Sequence, residues 1–189
     1  GCDQMFLMNR DEVFDNSVPP MVSTGLGRTT CAYFLPDNKH FVYGSTHLGG
    51  EECPEAPLRR AGKYVWPIYE SYDIFVSDLK GNITAQLTTE PGYDAEATVS
   101  PQGDRIVFTS MRTGDLELFT MNIDGSDKRV LFDSTGVEWA ASYSPDGEYI
   151  VFTSNLTGDD QLFLMTADGQ EVQQITTTGG NYASWIPAS

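Results

Sequence analysis

A phrase that returns after 44 residues constrains this chain more than any other feature. Ser100-Pro101-Gln102-Gly103-Asp104-Arg105-Ile106-Val107-Phe108-Thr109-Ser110 comes back as Ser144-Pro145-Asp146-Gly147-Glu148-Tyr149-Ile150-Val151-Phe152-Thr153-Ser154, which sets Pro101 and Pro145 44 residues apart. The stretch from Leu116 to Gly125 is matched in turn by that from Gln161 to Gly169. Both copies consist of short runs rich in β-branched and aromatic residues, broken by Gly-containing turns. A period of about 40–45 residues made only of strands and tight turns is that of a β-propeller blade, whose four antiparallel strands run outward from a central channel. The predicted fold class is all-β, a propeller of four-stranded antiparallel blades.

With the strands of a blade lettered A to D from the channel outwards, Ala97-Thr98-Val99 reads as strand A and Arg105–Ser110 as strand B. Leu116–Asn122 reads as strand C and Lys128–Phe132 as strand D, with turns at Pro101-Gln102-Gly103 and Asp124-Gly125-Ser126, where glycine supplies positive φ. The next copy runs likewise from Ala141 to Thr176. An earlier, degraded copy starts at Thr30, and its Ala32–Tyr43 stretch carries Asn38 where the others have the turn glycine. Asparagine tolerates the left-handed conformation, so the exchange is physically sound. Tyr72–Ser77 gives this copy its strand C and Ile83–Leu87 its strand D. Between its strands B and C lies an insertion, residues 47–71, carrying Cys53, Tyr64, Trp66 and Tyr69. A long irregular loop inside a compact repeat is a functional candidate. Asp3–Asn9 aligns with a strand C, and Asn181–Pro187 with a strand A. The expected organisation is one domain over 1–189: a partial blade (1–27), blades over 28–91, 92–135 and 136–178, and a closing strand (179–189). Three full blades plus terminal strands do not close a ring, so the propeller is expected to be incomplete in this chain, with upstream residues, or else another segment, supplying what is missing.

The balance of 11 basic against 27 acidic residues, a net charge of −16, repels nucleic acid and anionic lipid and excludes them as partners. The longest apolar runs are strand-length, so no direct membrane insertion is expected. Gly1-Cys2-Asp3 has neither the basic start nor the apolar core of an export leader, and a leader removed before residue 1 is compatible with this. Cys2, Cys31 and Cys53 are too far apart for a zinc motif, and their odd number leaves one thiol over, which points to a single disulfide made in an oxidising compartment. No G-x-S-x-G nucleophile elbow occurs, and neither His40 nor His47 has a catalytic partner nearby in sequence, so no enzymatic activity is expected. Asp124-Gly125-Ser126-Asp127 lacks the ligand spacing of a calcium loop and sits in a repeated turn.

Several phrases carry a family resemblance. Tyr93-Asp94-Ala95-Glu96-Ala97-Thr98-Val99-Ser100-Pro101 and Asp115-Leu116-Glu117-Leu118-Phe119-Thr120-Met121-Asn122 resemble the TolB-type propeller repeat. Arg28-Thr29-Thr30-Cys31-Ala32-Tyr33-Phe34 and Ser45-Thr46-His47-Leu48 resemble a subgroup of exported bacterial TolB-like proteins, and Ala183-Ser184-Trp185-Ile186-Pro187 resembles the way TolB-type chains end. The resemblance implies a periplasmic or cell-surface protein that binds other proteins, as a soluble exported protein or an extrinsic subunit of a larger, membrane-bound assembly. It implies no reaction.

Propeller topology ranks the two rims. Strand A starts on the rim that carries the D–A loops, and the B–C loops return to it, whereas the opposite rim holds only A–B and C–D turns. Alignment on the prolines puts Thr29, Asp94, Glu138 and Gly180 at one level of the D–A loops, with Cys31, Glu96, Ala140 and Tyr182 two residues deeper at the channel mouth. The insertion and all three cysteines map to the same rim, and Cys2 and Cys53, as neighbours there, are the preferred disulfide. The candidate partner-binding residues are Arg28, His47, Trp66, Tyr69, Asp94 and Glu138. Asp94, Glu96 and Glu138 form a candidate cation set, since hard cations take clustered carboxylate oxygens, with calcium as the candidate ion; the competing role is to accept backbone N–H bonds and hold the loops. The other reading of the channel mouth is a carbohydrate or small-ligand site, or the propeller of a hydrolase.

Overall fold

A computed structural model describes residues 2–11, 18–57 and 66–186; part of the expected first partial blade, the centre of the insertion with Tyr64, and Pro187 lie outside the described residues. Those residues hold twelve strands in three antiparallel four-stranded sheets and no helix. The first sheet is β1 (Thr29–Phe34), β2 (His40–Ser45), β3 (Asp73–Asp78) and β4 (Ile83–Gln86). The second is β5 (Asp94–Val99), β6 (Arg105–Ser110), β7 (Glu117–Asn122) and β8 (Arg129–Phe132). The third is β9 (Glu138–Tyr143), β10 (Tyr149–Ser154), β11 (Gln161–Thr166) and β12 (Gln173–Gln174). Strands follow one another in chain order within each sheet, as a blade requires.

The sheets stack face to face, which explains why the second strand of each is apolar on both sides. In β6, Ile106 and Phe108 pack with Val42, Ile74 and Val76 of the first sheet. Val107, between them, points the other way and packs with Ala141, Ile150 and Phe152 of the third. A single strand thus feeds two cores because successive side chains alternate across the sheet.

The innermost strands begin earlier than the sequence suggested. β5 starts at Asp94 rather than Ala97, and β9 at Glu138 rather than Ala141. Pairing continues to the rim through a β-bulge between Ala95 and Thr98, between Trp139 and Ser142, and in β1 between Thr30 and Tyr33. The extra residue is left-handed in each: Cys31 (φ 52°), Glu96 (φ 58°) and Ala140 (φ 54°), and Tyr182 repeats it (φ 52°). Such bulges bend a strand and tighten its twist. At the A–B turns, Asn38 adopts φ 54° where Gly103 has 75° and Gly147 has 79°, as the exchange of glycine for asparagine required.

One hydrogen bond recurs at every junction. The first N–H of an inner strand reaches the carbonyl that precedes the neighbouring strand C: Thr29 to Asp3 (3.0 Å), Asp94 to Tyr72 (3.1 Å), Glu138 to Leu116 (2.8 Å) and Gly180 to Asp160 (2.9 Å). The terminal segments dock in the register of the inner junctions, yet neither is a full strand. Residues 3–9 contribute one bridge, Phe6 to Met21, and residues 179–186 contribute no strand although Trp185 Nε1 donates to the Ser142 carbonyl. The physical reason is pairing: among the described residues neither segment has a second neighbour to complete its ladder.

Candidate functional site

The two rims differ as topology predicted. On one, tight turns abut: Gln102 Nε2 donates to the Asp146 carbonyl at 3.0 Å. On the other, the insertion is fastened at several points. Cys2 and Cys53 form a disulfide, Cα to Cα 5.4 Å, across 51 residues of chain. Gly27 N–H donates to the Glu51 carbonyl, Tyr69 O–H to the Glu55 carbonyl and Trp66 Nε1–H to Tyr93 Oη (3.2 Å). Tyr69, Met111 and Leu116 pack on a buried cluster of Tyr72, Tyr93 and Ala95, with Tyr72 edge-on to Tyr93 at 5.5 Å. The described residues of the insertion therefore lie by the start of β5.

Between the insertion and the inner strands is a cavity of about 290 Å³, lined chiefly by Trp66, Tyr93, Glu96, Trp139, Asp160 and Tyr182. A second space of about 220 Å³ lies along the inner strands and is lined by the four residues that repeat the left-handed bulge position, Cys31, Glu96, Ala140 and Tyr182. Glu96 borders both. It is 6% exposed, and its Oε2 accepts from Thr109 Oγ1 and from the Ala140 N–H, both at 2.9 Å. The carboxylate of one bulge thus holds the backbone of the next. Burial raises the pKa of Glu96. Burial, reinforced by the Glu96 charge, pushes the free Cys31 thiol up to about 11 and raises Tyr93 as well. The thiol is inert at neutral pH.

The other expected residues are spread around this cavity rather than gathered in it. Asp94 is 1% exposed and gripped by Arg112, Nη2 to Oδ2 2.6 Å and Nε to Oδ1 3.3 Å, while Arg112 also reaches Glu90 at 3.0 Å. Glu138 takes Ser134 Oγ and Ser154 Oγ on its Oε1. Asp94, Glu96 and Glu138 therefore do not converge on one ion: each has donors of its own. Among the described residues no three His, Cys, Asp or Glu side chains are grouped to hold a metal. Arg28 pairs with Asp3 at 2.7 Å beneath the insertion. His47 packs with its ring tilted against that of Phe75 (centroids 4.5 Å apart) and shares a hydrogen bond with Ser45 Oγ, and burial lowers its pKa. Three residues of this rim escaped sequence reasoning: Trp139, Arg112 and Glu117. A signal existed for each, since at the 44-residue offset they replace or are replaced by Ala95, Leu156 and Gln161, and such exchanges within a repeat mark where one junction differs from the next.

A family profile described as TolB beta propeller domain matches residues 70–188, more than half of the chain. The chain belongs to the TolB β-propeller domain family. Among solved structures, a protein assigned as TolB from Agrobacterium tumefaciens aligns at 24% identity and TM-score 0.63, over 84% of this chain and 52% of that one. TolB from Acinetobacter baumannii aligns at 20% identity and TM-score 0.60, over 81% of this chain and 33% of that one. A puromycin hydrolase aligns at 17% and TM-score 0.55, over 83% of this chain but 25% of that one. The chain thus spans about half or less of these proteins, and the likeness establishes the fold they share.

Proposed function

We propose that this chain is a non-catalytic, exported propeller that docks a protein partner on the rim carrying the insertion, as a periplasmic scaffold or an extrinsic subunit of a larger assembly. The observation that carries the reading is the asymmetry of the rims. One is reduced to turns, while the other bears a disulfide-fastened, aromatic-rich insertion over a cavity beside the channel. Aromatic side chains in a recess are the usual anchors of an interface, with charged groups kept to its edge. Glu96 and Asp160 in the lining, on a chain of net charge −16, suit a partner that presents basic groups. A disulfide fits an oxidising compartment and hence export. Membership of the TolB family supports a binding role over a reaction.

Photo-crosslinking side chains placed at Ile68 and Val137, beside the cavity, test the reading against others placed at Gln102 and Asp168 on the turn rim. In the cells that make this protein, adducts to a protein partner are expected from the first pair alone, and Trp66→Ala is expected to weaken that complex by about 2 kcal/mol. Adducts confined to the turn rim would overturn the reading. Glycan binding lost in Trp139→Ala, with no protein adduct from either rim, would establish the cavity as a sugar site instead.

A further inference from the structure

Among the described residues, the junction between the second and third sheets holds two buried carboxyl groups without a cation. Glu117, at the start of β7, is 1% exposed, and Glu138, at the start of β9, is 0% exposed. Among the described residues the Oε2 of each is buried without a hydrogen-bond donor, and the Glu117 carboxyl group lies within hydrogen-bonding reach of two other acids, Glu138 and Asp115. The preceding junction is built from the residues 44 positions earlier, Asp73 and Asp94, and is fully satisfied. Thr88 Oγ1 and Gln86 Nε2 donate to Asp73, and the Arg112 guanidinium clasps Asp94. Leu156 stands 44 residues after Arg112, so the second junction keeps both acids and lacks the arginine. Among the described residues the charged groups that act most strongly on Glu117 are Glu138 from β9, Asp115 from the loop before β7 and Asp133 from the loop after β8, all of them acidic. The third sheet offers Glu138 the Ser154 hydroxyl, and the connection before β9 offers that of Ser134.

We propose that Glu117 keeps its proton at neutral pH and donates it to Glu138 in place of the missing guanidinium, making this junction a pH-sensitive joint in the wall of the channel-mouth cavity. Two unscreened carboxylates in contact cannot both ionise, and one proton supplies the donor that both free oxygens lack. Burial, then the bond to Glu138 and its charge, pushes Glu117 up to about 9. The sign follows. The folded state holds the proton to higher pH than the unfolded chain does, so the pair's contribution to stability is full below the ordinary glutamate range and declines as pH climbs towards 9. Leu116, Val137 and Trp139, the chain neighbours of the pair, line the cavity, so loss of the proton loosens the same wall.

Glu117→Gln installs the amide that Gln161 already supplies at the matching place in the third sheet, where its Oε1 accepts from Thr176 and Gly179. Urea unfolding of the 189-residue chain at pH 5 and pH 8.5 is expected to show the variant gaining stability over the parent at pH 8.5 by at least tenfold in the folding constant, and by less than threefold at pH 5. Leu156→Arg is expected to flatten the pH dependence in the same way. Infrared spectra of the parent at pH 7 are expected to contain a buried carboxylic-acid carbonyl band that Glu117→Gln removes. Equal effects of Glu117→Gln at both pH values, or no such band, would overturn the proposal. So would stabilisation of the parent by calcium ions, lost in Glu117→Gln, because a metal ion would then hold the pair.

Discussion

Arg112 and Arg28 each pair with an aspartate on the same rim, and their surroundings give the two pairs unequal weight. Asp94 is 1% exposed in its pair with Arg112, whereas the Asp3 side chain is 71% exposed in its pair with Arg28. Removing one partner of a buried pair strands the other's charge and costs about 3–5 kcal/mol, while an exposed pair is worth at most about 1 kcal/mol. Chemical denaturation of Arg112→Ala and Arg28→Ala is expected to show that contrast, and similar losses for both would contradict it. The left-handed residues give a second expectation, of opposite sign. Ala140 sits at φ 54° with its backbone N–H held by Glu96. A non-glycine residue in that conformation costs about 1–2 kcal/mol, part of which glycine gives back through its freer unfolded state. Ala140→Gly is therefore expected to stabilise the chain by about 0.5–1 kcal/mol in the same measurement. The sequence could not announce this strain: alanine reads as ordinary strand until the bulge is seen. Asn38 was legible because its neighbours in the repeat are glycines and its own side chain tolerates the turn.

Among the elements, strand identity was readable wherever apolar alternation and a turn glycine agreed, as in β6 and β10. Strand starts were not, because the bulge adds one residue to β1, β5 and β9 and hides the pairing that continues past it. Nor was the content of the site. The alignment of prolines put Asp94, Glu96 and Glu138 at one level, but level along a strand does not decide direction. The bulge turns Glu96 to the channel, while Asp94 and Glu138 serve successive junctions. The disulfide was legible from rim topology alone, and it carries a measurable load. Closing a loop of about 50 residues removes on the order of 4 kcal/mol of unfolded-chain entropy, and native bridges deliver about 2–5 kcal/mol. Cys2→Ser with Cys53→Ser is expected to lower unfolding stability by that range without altering the protection of β6 and β10 amides in hydrogen exchange. Loss of protection throughout the third sheet would show that the bridge does more than fasten the insertion.

The molecule is a stack whose cores lie between sheets, and the insertion belongs to neither main core. The first core joins the first and second sheets and the next joins the second and third, each through side chains of the strands and their turns. What the insertion covers is the small rim cluster of Tyr72, Tyr93 and Ala95, with Trp66 capping Tyr93. Sheets that touch only their neighbours lose stability locally when one contact is cut, as in other repeat architectures. Replacing residues 51–70 by a short Gly-Ser linker is therefore expected to leave the strand amides of the second and third sheets protected in hydrogen exchange. Exchange is expected to speed up at the start of β5, where Tyr93 becomes exposed. Partner capture through crosslinkers at Val137 is expected to fall even so, because the wall of the cavity opposite Trp139 is gone. A variant that keeps its sheets and its partner together would place the docking surface elsewhere. A variant that loses protection in the third sheet would show that the rim cluster, rather than the two cores between the sheets, holds the stack together.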